Sequence, residues 1–336
     1  MRSSESIHKV SEDTREVVLS IQDLQVHFYT YAGVIKAING VNLDVYKGET
    51  LGLVGETGCG KSVTASAILK LVDSPGKIVG GKILFEGEDL LKKSDREMRK
   101  IRGGKIAMIF QDPTTYLDPV HKVGYQIIEV IREHQKPASK QEQRKSAIEA
   151  LKLVQLQDAE RLVDSYPHEL STGMRQRVMI AMMLCCRPAI LIADEATTAL
   201  DVTVQAQILR LMEELKEKLN MSMLFITHNL GVVATICDRV GVMYAGKIIE
   251  VGSSFDVFDN PLHPYTRGLL GAVPRFDHDY EKELLVIPGT LPNLIESPEG
   301  CRFYERCAKK STDCRSTEPK FREIEAGHYV ACYNLD

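Results

Sequence analysis

The sequence lacks any apolar run long enough to cross a membrane, because no stretch reaches ~18 uninterrupted apolar residues. The N-terminal segment MRSSESIHKVSEDTRE also lacks the apolar core of a signal peptide. A net charge of −4 argues against a global positive field that would attract nucleic acid or anionic lipid. We therefore expect no transmembrane helix, no signal peptide and no nucleic-acid partner, so that any role at a membrane must come through partner subunits.

What is present is an ordinary globular composition, with 44% hydrophobic and 26% charged residues in a chain of 336. The chain also has eight cysteines. Without an export signal, these are expected in the reducing cytoplasm, where thiols stay free or bind metal. The pattern changes near Ser253, after which a proline-bearing, poorly periodic tail follows. We predict a flexible N-terminus at 1–15, a main domain at 16–255 and a C-terminal domain at 256–336.

The segment GETGCGKS at residues 55–62 fits the phosphate-binding pattern G-x-x-x-x-G-K-[ST] between an apolar strand and a helix. Its glycines let backbone N–H groups point at an anion, and the following helix directs its positive end the same way. Lys61 can reach the β- and γ-phosphates, and Ser62 can bind Mg²⁺. The alternative to a phosphate-binding loop is a glycine-rich turn that arises by chance. Cys59 is most simply a small residue that fits in the loop, and the alternative for it is a redox role. We predict that ATP is bound here by Gly55, Gly58, Cys59, Gly60, Lys61, Ser62 and Val63.

Two further candidates lie where apolar runs end. The run PAILIADEA ends in Asp194 and Glu195, which is typical of a buried parallel strand that ends at a site. Asp194 can hold Mg²⁺ through water, and Glu195 is placed to polarise an attacking water. His228 ends the next apolar run, LFITHN. Taken alone, His228 could contact the γ-phosphate but is as readily a structural residue, and the alternative for Glu195 is a solvated loop acid.

The segment ELSTGMRQRV, by itself only a serine-capped helix start, resembles the signature of ATP-binding-cassette ATPases. Gln111 matches the family's Q-loop, Thr198–Asp201 its D-loop and His228 its switch histidine. These motifs follow the family's order over about residues 20 to 255. The resemblance implies an α/β fold with a phosphate-loop core sheet, an antiparallel β subdomain and a helical subdomain at about 112–180.

The family also implies that two cassettes pair head to tail and enclose each ATP between the phosphate loop of one and the signature of the other. Ser171 and Gly173 of one cassette would then face the γ-phosphate bound by its partner. By the same resemblance, the catalytic residues are Gln111, Glu195 and His228, and the Mg²⁺ ligands are Ser62, Gln111 and Asp194.

Three positions of the cassette leave questions open. Tyr31 aligns with the family's adenine-stacking aromatic residue, although an aromatic side chain beside a strand is as often a packing residue. Met174 stands in place of the usual glutamine, as in peptide-importer members. Thr172 replaces a glycine, and its β-branched side chain resists positive φ. We therefore expect Thr172 to affect the hydrolysis rate or the ATP-driven pairing of cassettes.

The segment NPLHPYTRGLL at residues 260–270 resembles the element that follows the cassette in oligopeptide and dipeptide importers, in particular their D-type ATP-binding subunits. This resemblance implies a peripheral protein at the cytoplasmic face of the membrane. Its partners would be a second ATPase in a heterodimer, two integral membrane permease subunits and an extracytoplasmic peptide-binding protein. The alternatives are the same role for another solute, such as nickel or glutathione, or an iron–sulfur-regulated ATPase not tied to transport.

Four of the eight cysteines follow residue 300, namely Cys301, Cys307, Cys314 and Cys332. The surrounding tail has few apolar residues, so a metal crosslink is a plausible organiser. Structural zinc sites usually contain tight C-x₂₋₄-C pairs, which are absent here, whereas the four separate irons of a 4Fe–4S cluster suit wider spacing. Importer ATPases that the chain resembles can carry such a cluster in this tail. We predict a 4Fe–4S cluster, with zinc, disulfides or free thiols as alternatives.

Overall fold

The structure is a computed structural model that describes residues 15–110, 116–135, 139–197, 200–273, 286–295 and 297–335. The predicted flexible N-terminus, except Arg15, lies outside these ranges, and so do Gln111 and the first half of the D-loop. None of the helices in the described part of the chain combines the length and apolar composition that a membrane crossing requires.

The larger of two sheets in the described residues has eight strands. Their order is β11-β12-β10-β9-β3-β8-β7-β6, and strands β6, β7, β8, β3 and β9 run parallel. The strands are β3 Thr50–Val54, β6 Ile106–Ile109, β7 Ile190–Asp194, β8 Ser222–Ile226, β9 Arg239–Tyr244, β10 Lys247–Ser253, β11 Arg322–Glu325 and β12 His328–Val330.

Every residue of β3, β6, β7 and β8 is buried, because layers cover both faces of the sheet. The side chains of one strand alternate between two apolar cores. In β7, Leu191 and Ala193 pack with the helical layer, whereas Ile190 and Ile192 pack with the second sheet. This explains why these strands are continuous apolar runs in the sequence.

The second sheet has four antiparallel strands in the order β2-β1-β4-β5. Their bounds are β1 Val17–Thr30, β2 Gly33–Tyr46, β4 Gly76–Phe85 and β5 Glu88–Asp89. Leu19, Ile21 and Ile38 of this sheet join Leu51 and Ile192 of the larger sheet in one core. The sheet is the antiparallel subdomain that the family resemblance implies.

The helices cover the larger sheet and its ends. Their bounds are α1 Lys61–Ile68, α2 Asp95–Ile101, α3 Val123–Gln135, α4 Lys140–Leu153, α5 Ala159–Leu162, α6 Thr172–Leu184, α7 Val202–Leu219, α8 Leu230–Ile236, α9 Ser254–Asp259, α10 Pro264–Gly271 and α11 Thr312–Ser316. Helices α3 to α5 and the start of α6 occupy the range where a helical subdomain is predicted.

The C-terminal part of the chain, which the sequence predicts as a cysteine-rich domain at 256–336, packs directly against the cassette. Strand β12 pairs with β10 through Glu250↔Val330 and Val251↔Tyr329, so the tail extends the larger sheet. Phe303 packs edge-on against Tyr244 of β9 and Tyr265 of α10. A tail with few apolar residues cannot build its own core, and it is ordered here by the core and the open edge of the cassette.

A buried carboxylate joins this tail to the sheet. Glu250 of β10 is fully buried and accepts hydrogen bonds from His328 Nε2 at 2.9 Å and Thr266 Oγ1 at 2.6 Å. The backbone N–H groups of Leu262 and His263 donate to it as well. Burial alone would raise the pKa of Glu250, but these hydrogen bonds hold it below its ordinary value. Glu250 thus stays ionised and fastens α10 and β12 to the same strand.

Candidate functional site

The loop of residues 55–62 connects the carboxyl end of β3 to the start of α1. Gly55 has φ +151°, and a Cβ atom there would lie 2.2 Å from the carbonyl oxygen of Met243. At Gly60, φ is +113° and a Cβ atom would lie 2.7 Å from Ile38 Cδ1. Both positions therefore require glycine.

Lys61 lies in the centre of this loop and is almost fully buried. Its ammonium donates to the carbonyl oxygens of Gly55 at 2.8 Å and Glu56 at 3.0 Å. The Cys59 thiol lies beneath the loop, and burial raises its pKa. The Cys59 side chain is therefore neutral and packs in the interior, as predicted for a small residue that fits in the loop. Only the backbone of Cys59 could face a nucleotide.

Two of the proposed Mg²⁺ ligands, one at the start of α1 and one at the end of β7, meet beside this loop. Ser62 Oγ donates to Asp194 Oδ1 across 3.1 Å. Burial raises the pKa of Asp194, while Ser62 and Lys61 act in the opposite direction. A hydroxyl and a carboxylate at this distance are suitable oxygen donors for Mg²⁺. Gln111, the third predicted ligand, lies outside the described residues.

Glu195 and His228 lie at the ends of neighbouring strands β7 and β8. His228 Nδ1 is 3.1 Å from Glu195 Oε1. The Glu195 side chain is only 16% exposed, so it is not a solvated loop acid. Its φ of +48° is uncommon for a residue with a side chain and turns the chain sharply after the strand. The pair places a carboxylate beside an imidazole at the ends of two neighbouring strands, and a carboxylate can act as a general base toward water.

The signature segment begins α6. Ser171 caps this helix, because its Oγ accepts from the backbone N–H of Met174 at 3.3 Å. The hydroxyl proton remains able to donate to an incoming anion. Thr172 is exposed at the first helical position and is not among the residues with positive φ. The expected backbone conflict at Thr172 is therefore absent, and any effect on the hydrolysis rate would have to come from its side chain.

The remaining residues predicted for the nucleotide site differ in their exposure to solvent and in their position in the fold. Tyr31 lies in the turn between β1 and β2 with a fully exposed ring, so it is not a packing residue. Gly173 follows Thr172 in the first turn of α6. Val63 is half-buried in the first turn of α1.

Two side chains that contact the loop were missed at the sequence level. Tyr265 of α10 accepts a hydrogen bond at its hydroxyl from the Glu56 N–H at 2.9 Å. Arg306, from the cysteine-bearing tail, forms two hydrogen bonds with the Glu56 carboxylate. Nothing in the local sequence around either residue indicates this contact, because both lie more than 200 positions from Glu56.

The four tail cysteines lie near one another without converging on one point. Burial and, to a smaller extent, the other three thiols raise the pKa of Cys301 to about 11. Cys314 Sγ is 3.2 Å from Ser311 Oγ and 3.7 Å from Asn334 Nδ2. Across the described ranges, no three His, Cys, Asp or Glu side chains are close enough to hold a metal ion. The structure therefore provides no support for a metal site there.

Comparison with known proteins identifies the family. Residues 38–198 match the model of ABC transporters, and residues 249–314 match that of the C-terminal region of oligopeptide/dipeptide transporters. A probable peptide ABC transporter ATP-binding protein, y4tR of Sinorhizobium fredii, is 51% identical over 96% of each chain. The chain belongs to the ABC transporter family. It is an ATP-hydrolysing cassette of that family, as its resemblance predicted.

Other relatives in the family support the same assignment. The dipeptide transport ATP-binding protein DppD of Bacillus subtilis is 50% identical over 96% of each chain. Among solved structures, the ATP-binding cassette MJ0796, in a dimeric post-hydrolysis state with ADP and Pi, has a TM-score of 0.62 at 27% identity. That match covers 70% of this chain and 98% of MJ0796. The cassette cbiO1 of Clostridium perfringens, part of the complex cbiONQ, has a TM-score of 0.63 at 29% identity, over 73% of this chain and 92% of its own.

The geometry of this ABC cassette predicts that Glu195→Gln binds ATP with nearly parental affinity but loses ATP turnover by about 100-fold or more. Glutamine preserves the shape of the side chain but cannot accept a proton from water. Nucleotide binding by titration and phosphate release would measure the two effects. Glu160→Gln, which removes an exposed carboxylate paired with Lys152, is the matched control and should leave both unchanged. Parental turnover in Glu195→Gln would show that Glu195 is not the base.

Proposed function

We propose that this chain is the ATP-hydrolysing subunit of a peptide importer. The observation that carries the proposal is that similarity to peptide-transport ATP-binding proteins extends over 96% of the chain, including the region beyond the cassette. The B. subtilis oligopeptide protein OppD, for example, is 50% identical over 95% of this chain. A match confined to the cassette would support only ATP hydrolysis.

The proposed site assigns one task to each contact described above. Lys61 and the backbone of the phosphate loop bind the phosphates, and the N-terminal end of α1 stabilises their charge. Ser62 and Asp194, with Gln111, hold Mg²⁺, which when bound neutralises the β- and γ-phosphate charge. Glu195 accepts the proton of the attacking water, and His228 holds its carboxylate in place.

One cassette supplies only part of this site. By family resemblance, Ser171, Gly173 and the N-terminal end of α6 complete the site of a partner cassette, while Tyr31 stacks on adenine. The hydroxyl of Ser171 and the positive end of its helix would face the partner's γ-phosphate. Closing this interface would strengthen both contacts at the moment of hydrolysis.

The proposed assembly places the chain at the cytoplasmic face of a membrane. Its partners are a second, related ATPase in a heterodimer, two integral permease subunits and an extracytoplasmic peptide-binding protein. The C-terminal region that matches oligopeptide/dipeptide transporters supports this assembly.

Affinity purification from detergent-solubilised membranes tests the transport function. The tagged chain should be recovered with integral membrane proteins and a second cassette ATPase, and the ATP turnover of that assembly should rise when peptide and its binding protein are added. Untagged cells provide the control. Recovery with ribosomal or DNA-repair proteins and with no membrane protein would contradict the transport function but not the ATPase activity.

We also propose that the four tail cysteines hold a 4Fe–4S cluster. The support is the spacing of Cys301, Cys307, Cys314 and Cys332 in the tail, together with the family resemblance, since the importer ATPases that the chain resembles can carry such a cluster there. A cubane offers four separate irons, so its ligands need not converge as closely as those of a single zinc ion.

Anaerobically purified protein should then be brown and contain iron and sulfide in equal amounts. Cys314→Ser should bleach the visible absorption while ATP binding persists, because the phosphate loop is intact. Cys186→Ser, outside the tail, is the matched control and should keep the colour. Colourless protein with one zinc per chain would refute the cluster and leave the ATPase function intact.

A further inference from the structure

We propose that Arg306 is a positioning residue for the phosphate loop, and that through it the C-terminal tail sets the affinity of the cassette for ATP. Arg306 is the last residue of a 3₁₀ turn, Tyr304–Arg306, directly before Cys307. It is 250 positions from the loop residue that it binds. The inference rests on the ATP-binding activity of the family and not on the identity of the transported solute.

Arg306 contacts the loop through a bidentate ion pair with Glu56. Arg306 Nη1 donates to Glu56 Oε2 at 2.8 Å, and Nη2 donates to Glu56 Oε1 at 2.9 Å. The Arg306 side chain is 7% exposed and that of Glu56 is 28% exposed, so solvent screens the pair only partly. Parallel hydrogen bonds between a guanidinium and a carboxylate fix orientation as well as distance.

Besides Glu56, the Arg306 guanidinium also contacts backbone carbonyl oxygens and aromatic rings, and these contacts fix its position. Arg306 Nε donates to the carbonyl oxygen of Pro288 at 2.8 Å, and Nη2 donates to that of Ile287 at 3.4 Å. Its Cζ lies 5.8 Å from the ring centre of Tyr244 and 6.0 Å from that of Phe303. Arg306 cannot follow Glu56 if the loop moves, because these contacts belong to the rest of the fold.

The tail and its neighbours hold the loop at further points. The Tyr265 hydroxyl accepts from the Glu56 N–H, which fixes the backbone of the same residue. The Gly246 N–H donates to the carbonyl oxygen of Cys59 at 2.7 Å. Arg302, directly after Cys301, donates in turn to the carbonyl oxygen of Ala245. Arg302 and Arg306, each next to a tail cysteine, thus reach the hairpin turn that supports the loop and the loop itself, respectively.

The position of Glu56 matters because its carbonyl oxygen accepts from Lys61 Nζ. A shift of Glu56 would move a partner of the phosphate-binding lysine and reorient the adjacent backbone N–H groups. A loop that is already held in its ATP-binding conformation loses less conformational entropy when ATP binds, so its affinity for ATP is higher. Arg306 therefore contributes to ATP affinity without touching the nucleotide.

Such coupling must be reciprocal. If the tail stabilises the ATP-binding shape of the loop, bound ATP must stabilise the tail by the same free energy. The coupling between the tail and the loop runs through residues 301–307. A structural change at Cys301 or Cys307 therefore reaches Arg306, and through it the loop, across only a few residues of backbone.

Titration of the full-length protein with MgATP tests the proposal. Arg306→Gln should weaken MgATP binding about tenfold, and Arg306→Lys should recover only part of it, since an ammonium cannot form the paired contact. Arg315→Gln is the matched control, because Arg315 also adjoins a tail cysteine but is exposed on α11. It should bind MgATP like the parent.

Two further measurements separate positioning from a general loss of folding. Glu56→Gln removes the same pair from the loop side, and the double variant with Arg306→Gln should bind no more weakly than either single variant. Hydrogen exchange of residues 301–307 should slow when MgATP binds the parent, and not in Arg306→Gln. Parental MgATP affinity in Arg306→Gln, or additive losses in the double variant, would overturn the proposal while leaving the parent's ATP binding in place.

Discussion

The parallel register of β3, β7 and β8 is the constraint on which the site depends. Leu53 of β3 and Asp194 of β7 both pair with Ile226 of β8, so the three strands end at one level. Their carboxyl ends lead into the phosphate loop, the acidic pair and His228 respectively. Because the strands are buried on both faces, they cannot slip without exposing two apolar cores. The site is therefore rigid where Ser62 meets Asp194 and Glu195 meets His228.

The parts of this arrangement encoded within a few residues could be predicted from the sequence. The apolar runs, the glycine pattern of the loop and the two acids at the end of β7 each carry a local signal with a physical reason. The structure of the site then gave the side-chain burial and backbone conformations that the sequence pattern could not. It excluded the solvated role for Glu195 and the packing role for Tyr31, and it placed Thr172 in helical backbone without conflict.

Contacts between distant residues could not be predicted from the sequence. Glu250 and His328, or Glu56 and Arg306, lie far apart in the sequence, and nothing in the stretch around either member of a pair indicates its partner. Only the fold shows that the tail crosses the sheet edge and brings them together. The same limitation applies to the packing of the C-terminal tail. Its strand β12 continues the cassette sheet, and its aromatic Phe303 joins the core of the cassette.

The central claim is that one chain binds ATP but supplies only half of what hydrolysis requires. The most direct measurement is ATP turnover per chain over a wide range of protein concentrations, with and without the partner cassette. Turnover per chain should rise with concentration, and rise further on addition of the partner, while ATP binding per chain stays constant. A turnover per chain that remained constant down to high dilution would contradict a site shared between two cassettes.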